Sequence, residues 1–247
     1  MSPARRARRR PLGAVAAVIA VAGVGLALLL AHGGTAGKSA TPDDSATPGR
    51  LPGASAPAAG SQLPKVSLTG LRWSDYHGVE LPSSPAAGPR DSSGGLASGY
   101  ADTPLGALVA AVNIAVRANA QWGPDIYGPT IRGQVTGPDA AALLSGCQAE
   151  YDQASQTAHV TGGAPLGNAY VTEEAFRWVA WSPSDATVDL VSAGPGSQGT
   201  TAQATTRVEV IWSGGDWRVL APPGGDWGNA AGELSSLSGY TVFPGQG

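Results

Sequence analysis

The sequence predicts an α+β protein on a single membrane anchor: one apolar transmembrane helix, a flexible linker, and one outer domain with helices packed on an antiparallel sheet of about four strands. Three observations predict it. Five arginines (Arg5, Arg6, Arg8, Arg9, Arg10) stand before an uncharged apolar run from Leu12 to Ala31. Apolar residues recur at helical spacing through the first part of the outer chain. From Gly167 onward the pattern turns to aromatic and β-branched residues in strand-like runs.

The elements follow in order. Residues 1–11 are a basic segment expected to stay in the cytoplasm, and residues 12–31 are the expected span. At about 1.5 Å per helical residue this run reaches roughly 30 Å, the thickness of a bilayer's hydrocarbon core. The alternative is a secretory signal peptide cut near Gly34-Thr35-Ala36; the length of the run favours a retained anchor. Either way the domain is expected outside the cytoplasm. Cys147 is the only cysteine, so neither a lipid-modified cysteine after the span nor an intrachain disulfide is expected.

Beyond residue 31 the chain holds all 18 acidic residues but only 10 of the 15 basic ones, a formal charge of −8. That argues against a nucleic-acid surface, which clusters Lys and Arg. Residues 32–70 are Gly, Ala, Ser, Thr and Pro with scattered charges, too poor in apolar groups to fold alone, and read as a tether. Residues 71–98 carry Trp73, Tyr76, Val79 and Leu81 and are expected to lie extended along the domain.

The domain is expected over 99–228. Asp102 or Thr103 can cap a helix with Pro104 in its first turn, followed by Leu105, Leu108, Val109, Val112 and Val116 on one face and ended by Gly123-Pro124. A second helix is expected from Ala140 to Gln156, with Leu143, Leu144, Cys147 and Tyr151 inward. Strands are expected over 170–181, 187–191, 207–212 and 217–220, the last pair joined by the turn Ser213-Gly214-Gly215-Asp216. The tail, 229–247, carries Leu234, Leu237, Tyr240, Val242 and Phe243; it either docks or waits for a partner.

Reactive side chains form no recognisable constellation. His32, His77 and His159 lack metal-ligand spacing. Glu173 and Glu174 are neighbours on an expected strand, so their side chains point to opposite faces. Ser145-Gly146-Cys147 lacks the strand–nucleophile–helix setting of a hydrolase, and Gly162-Gly163 and Gly224-Gly225 read as turns. No catalytic residue, metal ligand or cofactor is expected. Seven tryptophans stand against two phenylalanines. Trp178, Trp212 and Trp217 are expected in the core, whereas Trp122, Trp181 and Trp227 are the candidates for partner or cleft contacts.

The closing hairpin, Val208-Glu209-Val210-Ile211-Trp212-Ser213-Gly214-Gly215-Asp216-Trp217-Arg218-Val219, preceded by helices, resembles the NTF2-like (cystatin-like cone) fold with its curved antiparallel meander. Gly99-Tyr100-Ala101-Asp102-Thr103-Pro104-Leu105-Gly106-Ala107, with Trp73, Leu81-Pro82-Ser83-Ser84-Pro85 and Gly88-Pro89, resembles membrane-anchored proteins of actinobacterial conjugative elements. These are similar to the conjugation-channel scaffolds of Gram-positive bacteria and the inner-membrane assembly factors of type IV secretion. The resemblance covers residues 71–222. It implies a non-enzymatic scaffold in the cell membrane, with protein partners and self-association, and brings no catalytic residues. The rival readings are a cone binding a small apolar ligand, as in lipid transport, and a secreted enzyme.

Overall fold

The computed structural model describes residues 62–196 and 200–245. The expected basic segment, the span and the linker up to residue 61 lie outside these residues. Among the described residues no helix is long and apolar enough to cross a membrane.

The segment expected to be extended folds back on itself. Strands β1 (Arg72–Tyr76) and β2 (Val79–Ser83) pair antiparallel, joined by His77-Gly78 with φ of 54° and 85°. Positive φ at both residues is the turn that matches strand twist. Histidine in the first position hid it from a search for Asn-Gly or Asp-Gly. Glycine is required in the second, because a Cβ there would stand 2.1 Å from the Ala169 carbonyl oxygen.

Helix α1 (Pro104–Arg117) starts as expected, with Pro104 in its first turn and the Thr103 hydroxyl accepting the Gly106 N–H. It is buried on every side from Gly106 to Arg117, because the sheet covers one flank and β2 another. A helix so covered carries apolar and small residues all round, which accounts for Ala107, Ala110, Ala111 and Ala115. Gly123-Pro124, read as a terminator, instead opens α2 (Pro124–Gln134), with the proline where a missing N–H costs nothing. Gly128, Pro129 and Gly133 inside α2 suppressed its helical signal. Helix α3 (Ala140–Ala158) closes on His159 in the left-handed conformation.

The main sheet overturns the expected fold class. Strands β4 (Thr172–Trp181), β5 (Asp185–Pro195), β6 (Thr201–Ser213) and β7 (Asp216–Leu220) form an antiparallel meander. Three more strands join it. β3 (Val135–Thr136) lies parallel to β7, β8 (Ala231–Glu233) pairs with β6, and β9 (Thr241–Val242) pairs with β4. The result is a mixed seven-stranded sheet of order β3-β7-β6-β5-β4-β9, with β8 on β6, beside a separate β1-β2 hairpin. This is not a small NTF2-like cone of about four strands. The added strands are two or three residues long, too short for alternation to register in a sequence.

One face of the sheet meets α1 and the hairpin. Phe176, Val188, Leu190, Val208, Val210 and Trp217 are buried there with Leu108 and Val112. The opposite face carries a row across three strands. Arg177 and Arg207, both half-exposed, converge on the buried carboxylate of Asp189 at 2.7 and 2.9 Å. The chain between β8 and β9 crosses this face. Leu234 donates its N–H to the Gln203 carbonyl, and the Tyr240 ring lies 4.5 Å from the Arg177 guanidinium carbon. Residues 229–245, set apart as a tail in the sequence, therefore supply two strands to the sheet.

Candidate functional site

Two of the three tryptophans expected as contacts are interior. Trp122 is fully buried in the short 3-10 turn after α1, and its Nε1–H donates to the Val116 carbonyl at 2.6 Å. Trp227 is buried too, donating to the Ala118 carbonyl at 3.0 Å. The last carbonyls of a helix lack partners within it, and these indoles satisfy two of them at the end of α1. Trp181 sits half-buried at the other end of the domain, its ring 5.6 Å from that of Trp178 and 6.0 Å from that of Trp217. Trp217 itself donates to the Ala101 carbonyl, just before α1. The length of α1, about 20 Å for 14 residues, separates Trp181 from the other two. The three do not line one cleft.

The titratable candidates are also dispersed. His77 is exposed in the hairpin turn and stacks on Trp122 at 5.6 Å; His159 caps α3; His32 lies outside the described residues. Among the described residues no group of three His, Cys, Asp or Glu could hold a metal ion. Glu173 and Glu174 do have separate surroundings. A bulge between Glu173 and Ala175 turns Glu173 into the core, where Ser192 Oγ donates to its carboxyl at 3.0 Å. Burial pushes the Glu173 carboxyl up to about 7, against the downward pull of the Ser192 hydroxyl. Glu174 accepts from the Gln203 amide on the other face. Cys147 is buried, its thiol pushed up to about 12 chiefly by desolvation, which makes it a poor nucleophile.

What the structure adds is a shallow groove of about 610 Å³ beside the hairpin. Its walls are Val66, Leu68, Leu71 and Trp73 on one side and Val242 and Pro244 on the other. Trp73 ties the sides together: its Nε1–H donates to the Pro244 carbonyl at 2.8 Å, and its ring meets Phe243 edge-on at 5.4 Å. Phe243 packs in turn on Phe176 of β4. Val242 is 58% exposed at the rim, on the strand that closes this side of the sheet. No titratable side chain lines the groove, so its chemistry is that of apolar contact and backbone hydrogen bonding. Sequence reasoning missed it because its walls lie some 170 residues apart; the apolar pair Val242-Phe243 was its only trace.

Residues 33–242 match the family described as Domain of unknown function (DUF8175), and the chain belongs to that family. No curated protein and no solved structure matches it.

Proposed function

We propose that this member of the DUF8175 family is a non-enzymatic, single-pass scaffold in the cell membrane, serving a conjugation or type IV-like secretion apparatus. Its outer domain works by docking protein partners. The groove carries the reading: it mixes apolar side chains with backbone polar groups, has no titratable side chain in its lining, and is built partly from residues 66–71, where the linker reaches the domain. A partner seated there lies where the expected linker enters the domain. The arginines before that run support an outward-facing domain. The resemblance of residues 99–107 to proteins of conjugative elements supports the assembly role. A small number of buried apolar anchors carries most of the energy in protein interfaces, and Trp73 and Val242 are positioned to be such anchors.

The test is DNA transfer. Deleting the gene abolishes transfer, and full-length Val242→Arg with Leu68→Asp reproduces the loss while keeping wild-type melting. Undiminished transfer after deletion overturns the role. Transfer lost in the deletion but intact in the double variant overturns the groove.

A further inference from the structure

The chain after β7 is held to the sheet at few points once β8 begins. Across residues 231–245 the one buried side chain is Phe243. Both residues of β9, Thr241 and Val242, are exposed, and β9 meets β4 over those two residues. Between β8 and β9, residues 234–240 cross from the outer side of β6, past β5, to the outer side of β4. That is four strand spacings, about 19 Å. Ser235, Ser236, Ser238 and Gly239 of this crossing are exposed, and the Tyr240 ring rests on half-exposed Arg177.

The seat that receives this segment is specific. Phe243 lies between the Trp73 ring at 5.4 Å and the Phe176 ring at 5.1 Å. Its N–H donates to the Glu174 carbonyl at 2.9 Å, and the Trp73 indole donates to the Pro244 carbonyl at 2.8 Å. Local opening is easiest where buried apolar contacts are few. A strap with one buried side chain can therefore leave while the long β4-β5 and β5-β6 ladders stay formed. Its departure uncovers an edge of β4 and an aromatic pocket beside Trp73 and Phe176. The segment that fits both, in side chains and in hydrogen bonds, is 241–244 itself, and every copy of the chain carries one.

We propose that residues 234–245 are an exchangeable strap: residues 241–244 of one copy seat on β4 and Trp73 of a second copy, and the second copy's strap seats reciprocally on the first. Exchange repeats contacts the chain already makes, so it needs no new interface, only copies held at high effective concentration. Each groove is then built from two chains, with residues 66–73 from one and 242–245 from the other. The exchange goes beyond the assembly role and stands without it.

Disulfide trapping in the full-length protein tests it. The hydrogen bond from Phe243 to Glu174 leaves Ala175 and Val242 as the adjacent non-hydrogen-bonded pair, the closest-set positions of an antiparallel ladder and within reach of a disulfide. Ala175→Cys and Val242→Cys are made as separate chains and co-expressed, beside the wild type, whose Cys147 is buried. A 175–242 bond in that mixture links two chains by necessity. Peptide mapping finds it, and its yield rises with protein concentration. The double variant, with both thiols in one chain, closes on itself at high dilution. Closure within the double variant, with no 175–242 bond in the mixture, overturns the exchange. Hydrogen exchange on the unmodified protein decides independently if the thiols fail to pair. The Phe243 amide exchanges on the order of tenfold or more faster than the amides of β5. Equal protection shows that the strap does not leave and overturns the proposal.

Discussion

The Asp216 carboxylate accepts the backbone N–H of Tyr100 at 2.9 Å, and with its other oxygen that of Gly99 at 2.8 Å. It also accepts the N–H of Trp217, whose indole donates to the Ala101 carbonyl. The two stretches most distinctive in the sequence, Gly99–Ala107 and the Gly-Gly-Asp-Trp turn, are thus two halves of one clasp. Their particular residues are explained by holding α1 against β7.

Replacing Asp216 by Ala strands three N–H groups in partly buried positions. Unsatisfied donors cost about 1–3 kcal/mol each when buried, and partial access to water discounts that to about 2–3 kcal/mol in all. For a domain of this size the melting temperature falls by roughly 4–12 °C. Asp216→Asn retains acceptor capacity and loses less. Calorimetry on the two variants checks the order.

Glu173 gives the fold a pH dependence. Its carboxyl is raised by burial from 4.5 to about 7, so the native state favours the neutral acid. The native state is fully favoured by this group below about pH 4.5. That advantage is lost as the pH rises through 7, and above it the loss is complete. One pKa unit corresponds to about 1.4 kcal/mol, so on the order of 3 kcal/mol is shed across the window. Glu173→Gln keeps a neutral group at this place. Chemical denaturation from pH 4.5 to 8 gives a smaller loss in the variant than in the wild type, and at pH 8 the variant is the more stable. Parallel curves contradict this.

Gly106 reverses a common rule. Glycine to alanine inside a helix normally stabilises by roughly 1 kcal/mol. Here the added Cβ would stand 2.0 Å from the Ala101 carbonyl oxygen, within the clasp. Gly106→Ala therefore destabilises, by about 1–3 kcal/mol as overpacked sites do. A raised melting temperature would show that the approach of Ala101 to α1 is looser than described.

Trp227 and Trp122 are helix-end caps, and each indole N–H is worth about 1 kcal/mol. Trp227→Phe keeps much of the apolar bulk and leaves the Ala118 carbonyl with only the long, weak contact to Cys147 at 3.9 Å. The melting temperature drops by a few degrees while DNA transfer is unchanged. A transfer defect with normal stability would return Trp227 to the partner surface.

How legible the fold was depended on element length and on local chemistry. The cap at Thr103 and the spacing of Leu108, Val109 and Val112 made α1 readable, and alternation from Arg207 to Trp212 with the Gly-Gly-Asp turn made the β6-β7 hairpin readable. Helix α2 was hidden by its own glycines and proline. The β1-β2 turn was hidden by a histidine doing the work of asparagine. β3, β8 and β9 carry almost no periodic signal, because their pairing is decided by distant partners rather than by their own residues. The groove and the seat of Arg117 on the Tyr76 ring were unreadable for the same reason. Nothing about Arg117 as a letter announces that its guanidinium lies over the Tyr76 ring.

The crossing segment has a consequence for the timing of folding. Phe176 of β4 pairs with Thr241, some 65 residues later, and the Trp73 indole reaches Pro244 across 171 positions. During synthesis the outer edge of β4 and the Trp73 indole wait for partners that emerge near residue 240. Until then β4 presents a bare edge and the floor of the groove is missing. Native structure at the groove therefore marks chains made at least as far as Pro244, and chains stopped short of it offer no such surface.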